Sequence, residues 1–298
     1  MIHIPQIILL TDIPVWVRPL AALLEKRGAR VTVVEDPEMD LPEGLNVNRL
    51  STRLAGKDPQ RTAHFEVFLK QLEANKLPIV NGSRCFRLGY SKEEQAKLFT
   101  RCGALTPPTA PAIAGGRAFP GRAVLLKPAA GGFGKGIRAL APEEPAPAVL
   151  PPPKLGWIEQ EQIIPADHSV HRLEILGDRI LYDAQSPLIE TDYNYCLAHA
   201  GEETILRGED EIQKHIAHPA LRIARAAGME LGALEYLLQK DGSPVFIDLN
   251  PVSSLHPDVS KMMGFDPLER TAAFLVERAL RQSSHSNHKP VALPQVEA

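Results

Sequence analysis

The chain has 298 residues, 44% of them apolar, and a net charge of −3. That length admits one large unit or two to three small ones with proper cores. The near-neutral charge gives no argument for bulk nucleic-acid or membrane binding, and no run reaches the roughly 18 apolar residues of a membrane helix. Three scattered cysteines, Cys85, Cys102 and Cys196, fit a reducing cytoplasm rather than a disulfide framework. The start, Met1 to Pro5, lacks the basic flank and cleavage pattern of a signal peptide.

Residues 6–10 read as a buried strand, 15–27 as a helix stopped by Gly28, and 30–34 as a second strand. This β-α-β opening predicts a small parallel sheet. Thr11-Asp12-Ile13-Pro14 has no glycine, so a dinucleotide turn is not expected there. Residues 62–75 read as a helix, Leu77 to Val80 as a short strand, and Asn81-Gly82-Ser83 as a turn. Residues 1–90 are therefore expected to form one α/β unit. Ser91-Lys92-Glu93-Glu94 has the pattern of a capping box for a helix running to about Arg101. Residues 106–120 and 141–153, rich in proline, read as irregular segments. Trp157 to Ile164 alternates as a strand that breaks at Pro165, and His171 to Tyr182 forms a hairpin turning at Gly177-Asp178. Residues 211–227 read as an amphipathic helix, 232–249 as a second hairpin, and 267–280 as a terminal helix. The polar sequence from Ser283 onward reads as a disordered tail.

One stretch stands out. Val124-Leu125-Leu126-Lys127 is an apolar run ending in lysine, and Gly131, Gly132, Gly134 and Gly136 follow with Lys135 among them. Glycines let backbone N–H groups approach an anion at φ values other residues resist, and lysines add charge for a polyphosphate. A floppy hairpin turn is the plain alternative. The stretch is not a Walker loop, since Ala129 stands at its first glycine and Gly136 follows the lysine. It is not a dinucleotide fingerprint, since no helix follows. It is not a kinase glycine loop, which precedes its strand lysine.

The order lysine strand, glycine loop, Glu159-Gln160-Glu161-Gln162-Ile163, a hairpin opening with Arg172, and a late hairpin with Glu235 and Asp248-Leu249-Asn250 resembles the ATP-grasp superfamily. Its RimK-like and glutathione-synthase-like carboxylate–amine ligases are the nearest match. The resemblance implies an ATP-grasp fold, α/β and α+β, with an N-terminal Rossmann-like pre-domain (1–90). A small subdomain with the lid loop (91–165) and a C-terminal subdomain with the metal site (166–282) follow, and then the tail (283–298). Lys127 then corresponds to the strand lysine on the ATP phosphates. Gly131, Gly132, Gly134, Lys135 and Gly136 correspond to the mobile lid, and Gln160, Glu161, Gln162 and Ile163 to the hinge whose backbone reads adenine. Lys92 stands where the family often has Asp-Lys on phosphate, but Ser91 replaces the Asp. Arg172 matches the arginine on phosphate or acyl-phosphate oxygens, and Asn194 the Asn after the second hairpin. The acid often found two residues before the arginine is Val170 here, which leaves Asp167 or His168 for the ribose. Ser186-Pro187 replaces an expected basic residue, and Pro251-Val252-Ser253-Ser254 an expected glycine turn, so the acceptor stays open.

Residues 248 and 250 share a strand face, and Glu235 lies on the paired strand. Two carboxylates and an amide oxygen are hard ligands suited to Mg²⁺, or alternatively Mn²⁺, bridging phosphates. Strand-end and turn formation is the plain alternative for Asp248 and Asn250. The reading is thus an ATP-dependent ligase that joins a carboxylate to an amine through an acyl phosphate. Its substrates would be small molecules or peptides, and neither nucleic acid nor a membrane would be a partner. A homo-oligomer is open. The alternatives are a small-molecule kinase on the same fold and a non-catalytic nucleotide-binding module.

Overall fold

A computed structural model describes residues 4–35, 41–52, 55–131, 134–150, 156–188 and 203–283. Gly132, Asn194 and residues 284–298 of the expected tail lie outside them. Three sheets carry the fold.

The first is parallel. β1 (Gln6–Leu10) leads through α1 (Pro14–Lys26) to β2 (Arg30–Val34), then to β3 (Leu45–Asn48), α2 (Pro59–Ala74) and β4 (Ile79–Val80). The strand order is β2-β1-β3-β4, so the expected β-α-β opening is present. Pro14 begins α1, where its missing N–H costs nothing, and Gly28 with φ +83° ends it. The sequence reading omitted β3 and α3 (Ser83–Tyr90). Ser83 does not complete a turn. Its N–H and Oγ donate to Glu73 at 2.7 and 2.6 Å, a cap supplied from α2 that starts α3.

α4 (Lys92–Arg101) follows directly. Its expected capping box is half present. Ser91 Oγ accepts from Glu94 N at 3.5 Å, but Ser91 N–H already donates to Arg87 O, so Glu94 turns to Lys97 instead. The second sheet is antiparallel, in the order β5-β8-β6-β7. It comprises β5 (Thr109–Pro111), β6 (Val124–Pro128), β7 (Arg138–Leu140) and β8 (Trp157–Glu161). β5 lies within a segment expected to be irregular, and β8 stops before Gln162.

The third sheet has the order β11-β10-β9-β12-β13, antiparallel throughout. Its strands are β9 (Ser169–Leu176), β10 (Arg179–Pro187), β11 (Ile205–Gly208), β12 (Leu231–Leu238) and β13 (Pro244–Asn250). One face, with Leu173, Ile175, Leu234, Tyr236 and Leu249, packs on α4 and on α5 (Lys214–Ala227) through Leu98, Phe99, Ile216, Ala220 and Ile223. The other face is divided. Leu176, Tyr182, Ala184 and Leu231 pack with β1, α1, α6 (Val259–Met263) and α7 (Pro267–Ser283). The rest of it is polar. α7 reaches Ser283, three residues beyond the expected helix end. Among the described residues no helix is long and apolar enough to cross a membrane.

Candidate active site

The polar half of that face arises from strand alternation. Arg172 and Glu174 lie two apart on β9, and Asp248 and Asn250 two apart on β13. β12 lies between them. Register sets Glu235 opposite both Arg172 and Asp248, and Ala233 opposite both Glu174 and Asn250. A bulge in the β12–β13 pairing follows immediately after Glu235, a common device for aiming side chains beside a site.

The side chains are interlocked. Arg172 Nη1 lies 2.5 Å from Glu235 Oε1, and its Nη2 donates to Ser253 Oγ at 2.9 Å. Ser253 Oγ in turn donates to Glu174 Oε2 at 2.7 Å. Asn250 Nδ2 donates to Glu235 Oε1 at 3.2 Å, which turns its amide oxygen away from that carboxylate. Lys92 Nζ pairs with Asp248 Oδ1. Burial pushes Glu174 up to about 7, against the pull of Arg172 and the Ser253 hydrogen bond. Glu235 is also raised by burial, again against Arg172, with Asp248 adding to the rise.

The lysine strand faces this cluster. Lys127 Nζ donates to Gln160 Oε1 on β8 at 2.6 Å. Burial and the neighbouring charge of Lys92 pull Lys127 down to about 8, while Asp248 and Glu235 pull the other way. Ser91 bridges to Ala130, and Lys92 N–H donates to Ala129 O at 3.1 Å, so the first turn of α4 is fixed at the root of the glycine loop. Gly131, Gly134 and Gly136 all have positive φ, which a residue with a Cβ would strain to adopt. Gly56 of the N-terminal unit also closes on this root, where an added Cβ would stand 2.8 Å from Ala130 O.

The structure therefore brings together Lys92, Lys127, Arg172, Glu235, Asp248 and Asn250. It separates other expected residues from them. Glu161 pairs on the surface with Arg122 at 2.5 Å, Lys135 is exposed, and Asp167 accepts from His171 and Gln185 at 2.8 and 3.2 Å. Gln160 directs its side chain to Lys127. The N–H groups of Glu161 and Gln162 are taken by Pro108 O and Ala123 O, whereas that of Ile163 has no acceptor among the described residues. Among the described residues no cluster of three or more His, Cys, Asp or Glu side chains could hold a metal. Glu235, Asp248 and Asn250 do place two carboxylates and one amide on adjacent strands, oxygen donors of the hard kind that Mg²⁺ takes, with the Asn250 amide held to Glu235 through its nitrogen. Glu174 and Arg49 were missed by the sequence reading. An acid at an alternating position within the apolar strand Leu173 to Leu176 was the available signal for Glu174.

No protein-family model matches the sequence, and no curated protein matches it. Solved structures do. A D-cycloserine synthetase, DcsG, is similar with a TM-score of 0.64 at 18% identity, over 92% of this chain and 99% of that one. An ATP-grasp ligase, PsnB, in complex with minimal precursor, Mg and ADP, gives 0.62 at 15%, over 94% and 99%. A RimK domain ATP-grasp protein from Sphaerobacter thermophilus gives 0.59 at 18%, over 91% and 99%.

Proposed function

This chain has the ATP-grasp fold, and from that premise we propose that it is an ATP-dependent carboxylate–amine ligase. One observation carries the reading. Three cations, Lys92, Lys127 and Arg172, converge on a hard-oxygen set of Glu235, Asp248 and Asn250 beside a glycine loop with left-handed backbone. A polyphosphate and a divalent cation together satisfy both halves of that arrangement.

In this reading Lys127 and Lys92 hold phosphate oxygens, the latter on leaving Asp248, and the amides of the glycine loop close over them. Gln160 holds the Lys127 ammonium in place. Glu235, Asp248 and Asn250 would hold Mg²⁺, which supplies charge neutralisation on the phosphates when bound. Arg172 holds the oxygens of the phosphoryl group as it passes to the acid substrate. The carboxylate oxygen forms a bond to the γ-phosphorus as the β–γ anhydride bond breaks, releasing ADP. The amine nitrogen then bonds to the acyl carbon, phosphate leaves, and the nitrogen loses a proton. The chain's contribution is positioning and fixed charge. The neighbour PsnB is described as a ligase bound to Mg and ADP, which supports the same pairing here. The test is a screen of carboxylic acids and amines for acceptor-dependent ADP release, with mass spectrometry of the product. An amide product is expected. Phosphorylated acceptor without amide would favour a kinase and overturn the ligase reading.

A further inference from the structure

Arg49 is a half-buried cation that makes no ion pair of its own among the described residues, although Glu174 attracts it. It is the first residue after β3, and burial lowers its pKa against the attraction of Glu174. Among the described residues its guanidinium makes one hydrogen bond, from Nη2 to the neutral carbonyl oxygen of Ser253 at 3.1 Å. Glu174 is already engaged by Ser253 Oγ and lies 3.9 Å from Arg172 Nε. A guanidinium has five donor hydrogens in a rigid fork, so most of this fork has no protein acceptor.

The position of Arg49 indicates what would fill that place. In the order β2-β1-β3-β4, the chain leaves β1 toward one side and returns to its other side at β3. The carboxyl ends of β1 and β3 thus flank a topological switch point, where open α/β sheets bind ligands. The two loops there are stitched together: Arg49 N–H donates to Leu10 O at 2.8 Å, and Ser51 N–H to Asp12 Oδ1 at 2.7 Å. From this edge Arg49 reaches the loop that follows the proposed metal strand. Ser253 then receives two guanidinium groups, Arg49 on its carbonyl and Arg172 on its hydroxyl. The same loop holds His256, which is 2% exposed. Its Nδ1 accepts from Asp258 N–H at 3.1 Å, so the proton of the neutral ring is on Nε2, which has no acceptor among the described residues. The His256 donor is sealed inside the protein, whereas the spare donors of Arg49 are not, so a ligand rich in acceptors can reach Arg49 at this switch point.

We propose that Arg49 binds a carboxylate of the non-nucleotide substrate that does not itself react. At least one of the two substrates joined here then carries a spare acidic group, as an α-amino acid or a dicarboxylic acid does. This rests on the ligase reading for the joining of two substrates and for the location of the acyl phosphate at Arg172.

The test is acceptor-dependent ADP release with two panels, α-amino acids and dicarboxylic acids, each beside the matching monoamides. Wild type, Arg49→Lys and Arg49→Met are compared, with Mg-ADP affinity measured in parallel. The best acid should exceed its amide about tenfold to a hundredfold in kcat/KM, expressed in KM, as loss of one charged hydrogen-bonding partner would give. Arg49→Met should level that ratio, Arg49→Lys should keep part of it, and neither should change Mg-ADP affinity. The panel that responds identifies the source of the carboxylate. Amides that serve as well as acids in wild type overturn the proposal without any variant. So does an unchanged ratio in Arg49→Met, or a loss of Mg-ADP affinity, which would make Arg49 a phosphate ligand. No turnover of either panel by a protein that binds Mg-ADP also overturns it. A wild type that fails to bind Mg-ADP instead overturns the ligase reading.

Discussion

The two faces of the β9–β12 sheet both bury charge, and they differ in how that charge is balanced. On the helix-covered face, His171 stacks on Tyr236 with ring centroids 4.6 Å apart. Its nitrogens lie 3.1 and 2.8 Å from Asp183 and Asp167, and Tyr236 OH donates to Asp183 at 3.1 Å. Arg207 approaches Asp183 at 3.5 Å. Each charged group there has a counterpart of opposite charge on a neighbouring strand or turn, with Asp183 Oδ1 alone among the atoms of these carboxylates left buried without a hydrogen bond among the described residues. On the opposite face Lys92, Lys127, Arg172 and Arg49 share Glu174, Glu235 and Asp248, while Lys127 rests on a neutral amide. Buried polarity alone therefore does not mark a site. A cluster that its own partners close reads as structure, and one left with spare positive donors beside a glycine loop reads as a place for an anion.

Asp248→Asn should break that contrast most strongly. It removes one negative ligand and the charge partner of Lys92 but keeps the shape and a hydrogen-bond acceptor, so turnover of the folded protein should fall at least about a hundredfold, far more than any accompanying loss of Tm. Acceptor-dependent ADP release and a thermal melt on the same preparation check this. Activity near wild type would return Asp248 to a strand-end role. Asp183→Ala on the other face should do the opposite. It leaves His171 and Arg207 without their shared acid and should cost about 3–5 kcal/mol of stability, as removal of one partner from a buried pair does. Denaturant melts should show that loss, with Mg-ADP affinity of the folded fraction unchanged.

The pH dependences sharpen the contrast further. Lys127, pulled down to about 8 by burial and Lys92, loses its charge as pH rises through that value. Mg-ADP affinity should therefore weaken above pH 8, and binding near pH 8 should take up protons, detectable by calorimetry in buffers of different ionisation enthalpy. His171 gives the smaller effect. Burial alone would lower it, but the hydrogen bonds and charges of Asp183 and Asp167 hold it above its ordinary 6.5. Its folded state keeps a proton that the unfolded chain releases. That stabilisation is complete below 6.5 and is lost as pH rises through the folded value. Tm should fall across that window in wild type and fall less in His171→Gln.

Much of this was legible in the chain. Period-two alternation gave the hairpins that carry Arg172, Glu235, Asp248 and Asn250, and the apolar run before Lys127 with its glycines located the loop. β3 was hidden because Leu45-Asn46-Val47-Asn48 is short and half polar, yet all four residues are buried. Asn46 and Asn48 donate to Pro78 O and Asn81 O, acceptors far along the sequence. α3 was hidden because its cap comes from Glu73. Arg49 carried no local signal for the same reason, since it acquires meaning only where the N-terminal sheet meets the loop after β13; Ser253 was legible only as a residue of the turn just past that hairpin.

The most direct measurement is calorimetric titration of Mg-ADP into wild type and Lys127→Ala, with and without Mg²⁺. Binding in the micromolar to millimolar range usual for enzyme substrates is expected for wild type. It should require Mg²⁺ and weaken at least about tenfold in Lys127→Ala. No binding to wild type, or equal binding by Lys127→Ala without Mg²⁺, would contradict the assignment of this face as a nucleotide site.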